Sequence, residues 1–269
     1  WLVMVGFLLG AMVWFEAYIQ IFDPEGGWPI IGGWGLYHFV DELLGLGTVI
    51  GIITLIIIRQ KIGDKDKKAR FYGSNSGAAY FVEAVVLIEG LGMIFVKASK
   101  IATFASYEGG HAATDFFTMQ LAKILPESPL LVSIFALIKL LSGMIWLFIV
   151  GQNVKWGVAW HRFMAFFNIF LKRNADGRNA LGAAKPLTSG GRMLTMENAD
   201  PEEDAIGVGK IDDFTWKGWM DFTSCTECGR CQELCPAWNT EKPLSPKKVM
   251  MDLRQGALDN YNPHEGLDV

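Results

Sequence analysis

No cysteine precedes position 225 in this 269-residue chain, and none follows position 235. A disulfide framework would scatter its cysteines, so that class is set aside. Four cysteines confined to one short stretch point to metal binding in a reducing compartment. Basic character is also scarce. The formal net charge is −4 and the pI is about 5.6. No basic face is visible, which argues against a nucleic-acid partner. The opening residues lack a charged stretch and an A-x-A-like cleavage site, so they do not read as a secretory signal. The chain enters an apolar run directly at Trp1, and it reads as a segment whose natural N-terminus lies upstream. There is no internal repeat.

Apolar residues are abundant. Hydrophobic residues make up 51% of the chain and the mean hydropathy is +0.26. The distribution is uneven: about the first 170 residues are mostly apolar and about the last 100 mostly polar, the pattern of a membrane domain followed by a soluble one. Four apolar stretches, at about 1–22, 35–58, 78–104 and 128–152, have the ~20 residues a helix needs to cross a bilayer. Arg59, Lys61, Lys65, Lys67, Lys68 and Arg70 follow the second stretch, and Lys155, Arg162, Lys172, Arg173 and Arg178 follow the fourth. The positive-inside rule places both groups in the cytoplasm. The 23–34 loop has no basic residue and faces outward. Lys97, Lys100 and Lys123 oppose this arrangement; the third helix is expected to leave the hydrocarbon near Val96 and continue along the interface.

The expected fold is all-α: a transmembrane helix bundle followed by an α-helical ferredoxin-type domain. The domain bounds read as 1–172 for the membrane part, 173–213 for a linker and 214–269 for the iron–sulfur part. Residues 153–171 look like an amphipathic continuation at the cytoplasmic surface. Residues 174–213 are rich in Gly, Asn, Asp and Ala and carry an acidic run at Asp200, Glu202, Glu203 and Asp204. Ser245 and Pro246 have the chemistry of an N-cap and a first helical residue, opening a helix through Leu253.

Cys225, Cys228, Cys231 and Cys235 follow the spacing C-x2-C-x2-C-x3-C, with Pro236 next. Three thiolates two residues apart can wrap three corners of one [4Fe–4S] cube, while the fourth, in two-cluster ferredoxins, serves the other cluster. Structural zinc takes pairs of ligands separated by a longer loop, which fits this run poorly. If Cys235 serves a second cluster, the remaining ligands come from beyond Val269 or from another chain.

Of the four histidines, His264 is expected in solvent and His111 in an outer loop. His38 reads as an aromatic-belt residue beside Tyr37 in preference to a ligand or a quinone contact. His161 has two readings, an axial haem ligand or an interfacial residue beside Trp160 and Arg162. Glu16, Asp41, Glu42, Glu83, Glu89 and Lys139 fall inside the apolar stretches, where charge is costly and faces the bundle interior or water. Glu89 and Lys139 lie at similar depth and are expected to pair, as a proton path, a quinone contact or a structural ion pair.

The stretch DDFTWKGWMDFTSCTECGRCQELCPAWNTEKPLSPKKVMMDLR resembles the actinobacterial, heterodisulfide-reductase-related iron–sulfur membrane oxidoreductases, in particular the membrane subunit that works as an electron-transfer-flavoprotein dehydrogenase in mycobacteria. CTECGRCQ, CPAWNT and KPLSPK carry the resemblance beyond a generic cluster motif, and TMENADPEEDAIGVGKIDDFTW extends it upstream. The membrane part is more loosely similar to the nitrate reductase gamma-subunit type of cytochrome b. The resemblance implies a bacterial inner-membrane protein with its iron–sulfur domain in the cytoplasm. It implies [4Fe–4S] clusters, electron-transfer flavoprotein as donor in fatty-acid oxidation, menaquinone as acceptor, and further cysteine-rich domains beyond this chain. It also implies that His161 is the haem-ligating residue of HRFMAFFN, its partner falling just upstream of Trp1. Gly10 and Gly143 stand where the gamma-subunit pattern has two more histidines, so one haem b or none is expected. Two rival readings keep the scaffold: a heterodisulfide reductase-like or 2-hydroxy-acid:quinone oxidoreductase, and a non-catalytic membrane anchor and cluster carrier.

Overall fold

The structure, a computed structural model, describes residues 2–62, 71–107, 109–171, 186–204 and 207–260. His264 and the basic residues at 65–70 and 172–178 lie outside them. The described chain is mostly helical, with almost no strand, and divides into two compact units. The first comprises Trp1–Gly63 and Asn75–Gln152, the second Asp64–Ser74 and Asn153–Val269.

The first unit is built from α1 (Leu2–Phe22), α2 (Gly35–Ile62), α3 (Ser76–Thr103), the short α4 (Thr118–Ala122) and α5 (Pro129–Gln152). Each long helix coincides with one apolar stretch. By length and composition α2, α3 and α5 could cross a membrane, and the 21-residue α1 occupies the place of the remaining expected span. The ends follow local chemistry. The Asn75 side chain accepts the Ala78 N–H at 3.0 Å at the start of α3, Pro129 opens α5 where a missing N–H costs nothing, and Arg59 and Lys61 sit in the last turn of α2, complementing its dipole.

α3 packs against α2 and α5, and α1 closes the ring against the same two helices. Small and branched residues, Ala17, Val96, Val132 and Ala136, form the seam among α1, α3 and α5. The outside is apolar: Ile50, Leu130 and Phe148 are all exposed. The inside holds charge, with Glu42, Lys97, Lys100 and Lys139 buried. Apolar out and charged in is the arrangement expected of a lipid-facing bundle. α3 runs unbroken past Val96 to Thr103, and Lys97 and Lys100 find oxygen partners within the unit.

The second unit contains α6 (Gly157–Phe170), a two-stranded hairpin of β1 (Thr188–Ser189) and β2 (Arg192–Met193), then α7 (Trp216–Thr223), α8 (Arg230–Glu233), α9 (Pro236–Asn239) and α10 (Pro246–Asn260). The hairpin lies in the stretch expected to be a plain linker. Gly190 and Gly191 adopt φ of 54° and 80° at its turn, and Arg192 pairs with Asp204 at 2.7 Å. α10 starts at Pro246 as the sequence indicates but continues to Asn260. α7 packs against α6 and α10. Phe222 and Ala257 are fully buried there, and Phe222 meets the edge of Phe214. Asn168 on α6 donates to Ser224 Oγ at 3.1 Å.

Candidate metal centre

The cysteines occupy a chain of short turns. Cys225 follows α7 directly, its N–H bonded to the Phe222 carbonyl at 3.3 Å. The backbone then reverses through two left-handed residues, Glu227 (φ 60°) and Gly229 (φ 73°). α8 carries Cys231, and Cys235 caps α9 ahead of Pro236. None of the four cysteines is in a disulfide; Cys228 and Cys231 are exposed, Cys225 and Cys235 half-buried. A left-handed non-glycine residue costs about 1–3 kcal/mol and persists only where its surroundings hold it. Glu227 is held from both ends. Its carboxylate pairs with the buried Arg254 guanidinium of α10, and its carbonyl accepts from Ser74 Oγ at 3.3 Å. Arg254 also donates to the Cys225 carbonyl at 3.0 Å.

α10 supplies a second buried cation. Lys247 is 1% exposed and donates to Ser74 Oγ at 2.9 Å. Burial pushes its ammonium below the ordinary range, against the opposing pull of Glu227, Cys225, Cys231 and Cys228. Burial also raises the Cys225 thiol. The start of α10 is fixed to the cysteine run by Ser245, whose hydroxyl donates to Gln232 Oε1 at 2.5 Å and accepts the Lys248 N–H at 3.2 Å. These contacts give KPLSPK a physical role that its sequence alone does not reveal. Ser74 had no sequence signal at all, since it lies 153 residues from its partner Glu227.

Among the described residues, no three His, Cys, Asp or Glu side chains converge to chelate a single ion. A cluster makes a different demand, because each thiolate takes a separate corner of the cube. The donor set and a turning loop with buried cations behind it fit such a group.

α6 joins this region through a glycine. A Cβ at Gly157 would lie 2.0 Å from the Arg254 guanidinium and 2.3 Å from the Cys225 carbonyl, so only glycine allows the approach. The Gly157 carbonyl in turn lies 3.1 Å from His161 Nδ1. A carbonyl can only accept, so Nδ1 carries the proton and Nε2 keeps the lone pair. Histidines that bind metals usually have their other nitrogen oriented in this way. Burial, joined by the Arg162 charge, lowers the His161 pKa and favours the neutral ring. The cysteine loop and His161 thus meet at one turn of α6.

Glu16, Glu42, Glu83 and Lys139 are buried within the first unit, as expected of charges in a bundle, but one expected pairing is not made. Glu89 and Lys139 form no ion pair. Ser142 Oγ donates to Glu89 at 2.7 Å, while Lys139 reaches the Val13 carbonyl at 2.9 Å. His38 is not an aromatic-belt residue but is buried, its Nδ1 3.5 Å from the Tyr107 hydroxyl and 3.7 Å from Asp115. Lys97 lies 2.7 Å from Asp115 and 3.1 Å from Glu42, and donates to the His38 carbonyl at 2.7 Å. Glu42 also accepts the Phe117 and Thr118 N–H groups and the Thr118 hydroxyl. Arg59 pairs with Glu83 at 2.7 Å. Tyr37 donates to Glu16 at 2.7 Å. A Cβ at Gly143 would lie 2.4 Å from the Trp14 indole nitrogen and 3.1 Å from Glu89, so that space is filled. At Gly10 the nearest atom is the Met93 sulfur, 3.8 Å away.

Three known proteins are similar to parts of this chain. A probable membrane-anchored ferredoxin of Chromohalobacter salexigens is 36% identical over 101 residues, covering 38% of this chain and 13% of that protein. An EtfAB:quinone oxidoreductase of Syntrophomonas wolfei is 46% identical over 63 residues, covering 23% and 9%. A probable iron-sulfur-binding oxidoreductase, FadF, of Bacillus subtilis is 32% identical over 111 residues, covering 39% and 16%. The matched region is thus a small part of each relative's length. No protein-family model and no solved structure matches.

Proposed function

We propose that this chain is part of an iron–sulfur membrane oxidoreductase that carries electrons from reduced electron-transfer flavoprotein to menaquinone. The observation that carries the reading is the turn at Gly157, where the cysteine loop and His161 meet on one helix. The similarity to an EtfAB:quinone oxidoreductase supports the choice of donor and acceptor class. Residues 1–172 act as the membrane domain, 173–213 as the linker and 214–269 as the iron–sulfur domain, with the latter in the cytoplasm of a bacterial cell.

In this reading Cys225, Cys228 and Cys231 hold one [4Fe–4S] centre, and Cys235 serves a second whose other ligands come from further cysteine-rich domains. Such centres supply one-electron transfer when bound. Arg254 and Ser74 hold the Glu227 turn that directs Cys225 and Cys228. His161, oriented by the Gly157 carbonyl, would hold one haem b through Nε2. Trp14 and Glu89 fill the space beside Gly143, which supports a single haem. Glu89, with Ser142 beside it, and Lys139 are the polar groups a quinone or proton would meet within the bundle.

A second reading is favoured by the similarity to a membrane-anchored ferredoxin: the chain anchors and carries a cluster for a separate catalytic partner. Anaerobic mixing of reduced electron-transfer flavoprotein with the native membrane protein and a menaquinone analogue separates the two. Fast, quinone-dependent flavin reoxidation that vanishes in Cys228→Ser supports the oxidoreductase. Its absence while the iron–sulfur EPR signal is intact rejects that donor and supports the carrier.

A further inference from the structure

We infer that Lys247 is a fixed positive charge that raises the reduction potential of the iron–sulfur centre, and that Ser74, from the segment between α2 and α3, positions it. The inference rests on the reading that the cysteines hold a cluster, and it assigns a role to residues outside the cysteine motif.

Lys247 stands at the second position of α10, buried to 1% exposure, with its amine 2.9 Å from Ser74 Oγ. Ser74 at the same time donates to the carbonyl of Glu227, the residue before Cys228. The lysine is therefore tied to the loop itself, and its buried stem cannot swing the charge into solvent. Two hydrogen bonds, Lys247 to Ser74 and Ser74 to the Glu227 carbonyl, thus separate the ammonium from the backbone next to Cys228. A cluster held by thiolates gains one further negative charge when it accepts an electron. A cation close by stabilises the reduced form more than the oxidised one. Buried charges are screened little by salt, and net charge and hydrogen bonding around the sulfurs are among the determinants of cluster potential. Ser74 is a positioning residue: it fixes the distance between the ammonium and the loop.

The test is an anaerobic, EPR-monitored redox titration of the cluster-loaded protein in detergent. Lys247→Gln keeps a polar contact to Ser74 but removes the charge. At a fixed potential its ratio of reduced to oxidised centre is expected to fall about tenfold, equivalent to a midpoint lower by about 59 mV for a one-electron couple. Lys247→Arg restores most of the wild-type midpoint. Ser74→Ala shifts it downward by less than Lys247→Gln. Equal midpoints for Lys247→Gln and wild type overturn the inference. If Lys247→Gln does not retain iron, Ser74→Ala decides: a lower midpoint supports the role and an unchanged one overturns it. The reading beneath it fails separately, in wild type, if no EPR signal depends on Cys228.

Discussion

Each unit buries lysines, and each answers the cost differently. In the bundle, Lys97 sits among carboxylates at 2.7 Å and 3.1 Å, so its charge is neutralised where it stands. In the second unit Lys247 donates to a serine hydroxyl that is itself bonded to the cysteine loop, and Glu227 is the first of the charges that favour its ammonium. In the proposed reading, the first charge serves the architecture and the second is kept for a guest, the cluster. A buried pair that is broken leaves an uncompensated ion, so the bundle lysine is expected to report on folding and the other on electron affinity.

The largest expected effect comes from the guest's own ligands. Cys228→Ser should abolish the EPR signal of its centre and lower bound iron, while far-UV helicity stays near wild type. Gly157→Ala comes next, since a methyl group there collides with Arg254 and a backbone carbonyl. It should reduce iron retention and, in the reading with haem at His161, disturb the haem optical spectrum in the same variant. A loss of iron with an unperturbed haem spectrum would break the link drawn between the two sites. On the architectural side, Glu42→Ala removes one of several acceptors of Lys97 and the acceptor of two backbone N–H groups; a cost of about 1–3 kcal/mol is expected from leaving buried donors unsatisfied, read as a lower melting temperature in detergent with the midpoint potential unchanged. Asp115 sharpens the contrast by pH. Burial pushes its carboxyl up, but hydrogen bonds from Lys97 and Thr114 outweigh this and hold it below the ordinary value of 3.8. Its folded value is depressed, so its contribution is complete above pH 3.8 and disappears as the pH falls through the lower, folded value. Acid melting curves of Asp115→Asn should lack that component. The smallest of these effects is Ser245→Ala, which removes an N-cap worth about 1 kcal/mol and should lower thermal stability slightly without loss of iron.

Much of this was legible in the sequence, and the reason is local. The long helices announce themselves by continuous apolar runs, and the cysteine spacing is a short-range pattern. Ser245 and Pro246 mark the start of α10 because capping chemistry depends on neighbours a few residues away. The misreadings are long-range. Lys97 and Lys100 stand against the charge rule without a local reason, since their partners, Glu42 and Asp115 for one and the Gly26 carbonyl for the other, are remote in sequence. Glu89 and Lys139 looked like a pair because depth along a helix says nothing about which way a side chain turns. His38 looked like a belt residue because Tyr37 stands beside it, whereas Tyr107 and Asp115 define its surroundings. Arg254 and Ser74 carried no local signal, and both proved to hold the cysteine loop.

The bond between Lys247 and Ser74 spans 173 residues, and this has a consequence for how the protein is made. The second unit is discontinuous: residues 71–74 belong to it, yet they emerge from the ribosome before α3 and α5. Contacts so distant in sequence form late, because the intervening chain must be closed first. Until α10 has been synthesised, the Ser74 hydroxyl awaits its lysine and the cysteine turn lacks two of its supports. Excising the iron–sulfur segment at a single cut would leave it permanently in that immature state.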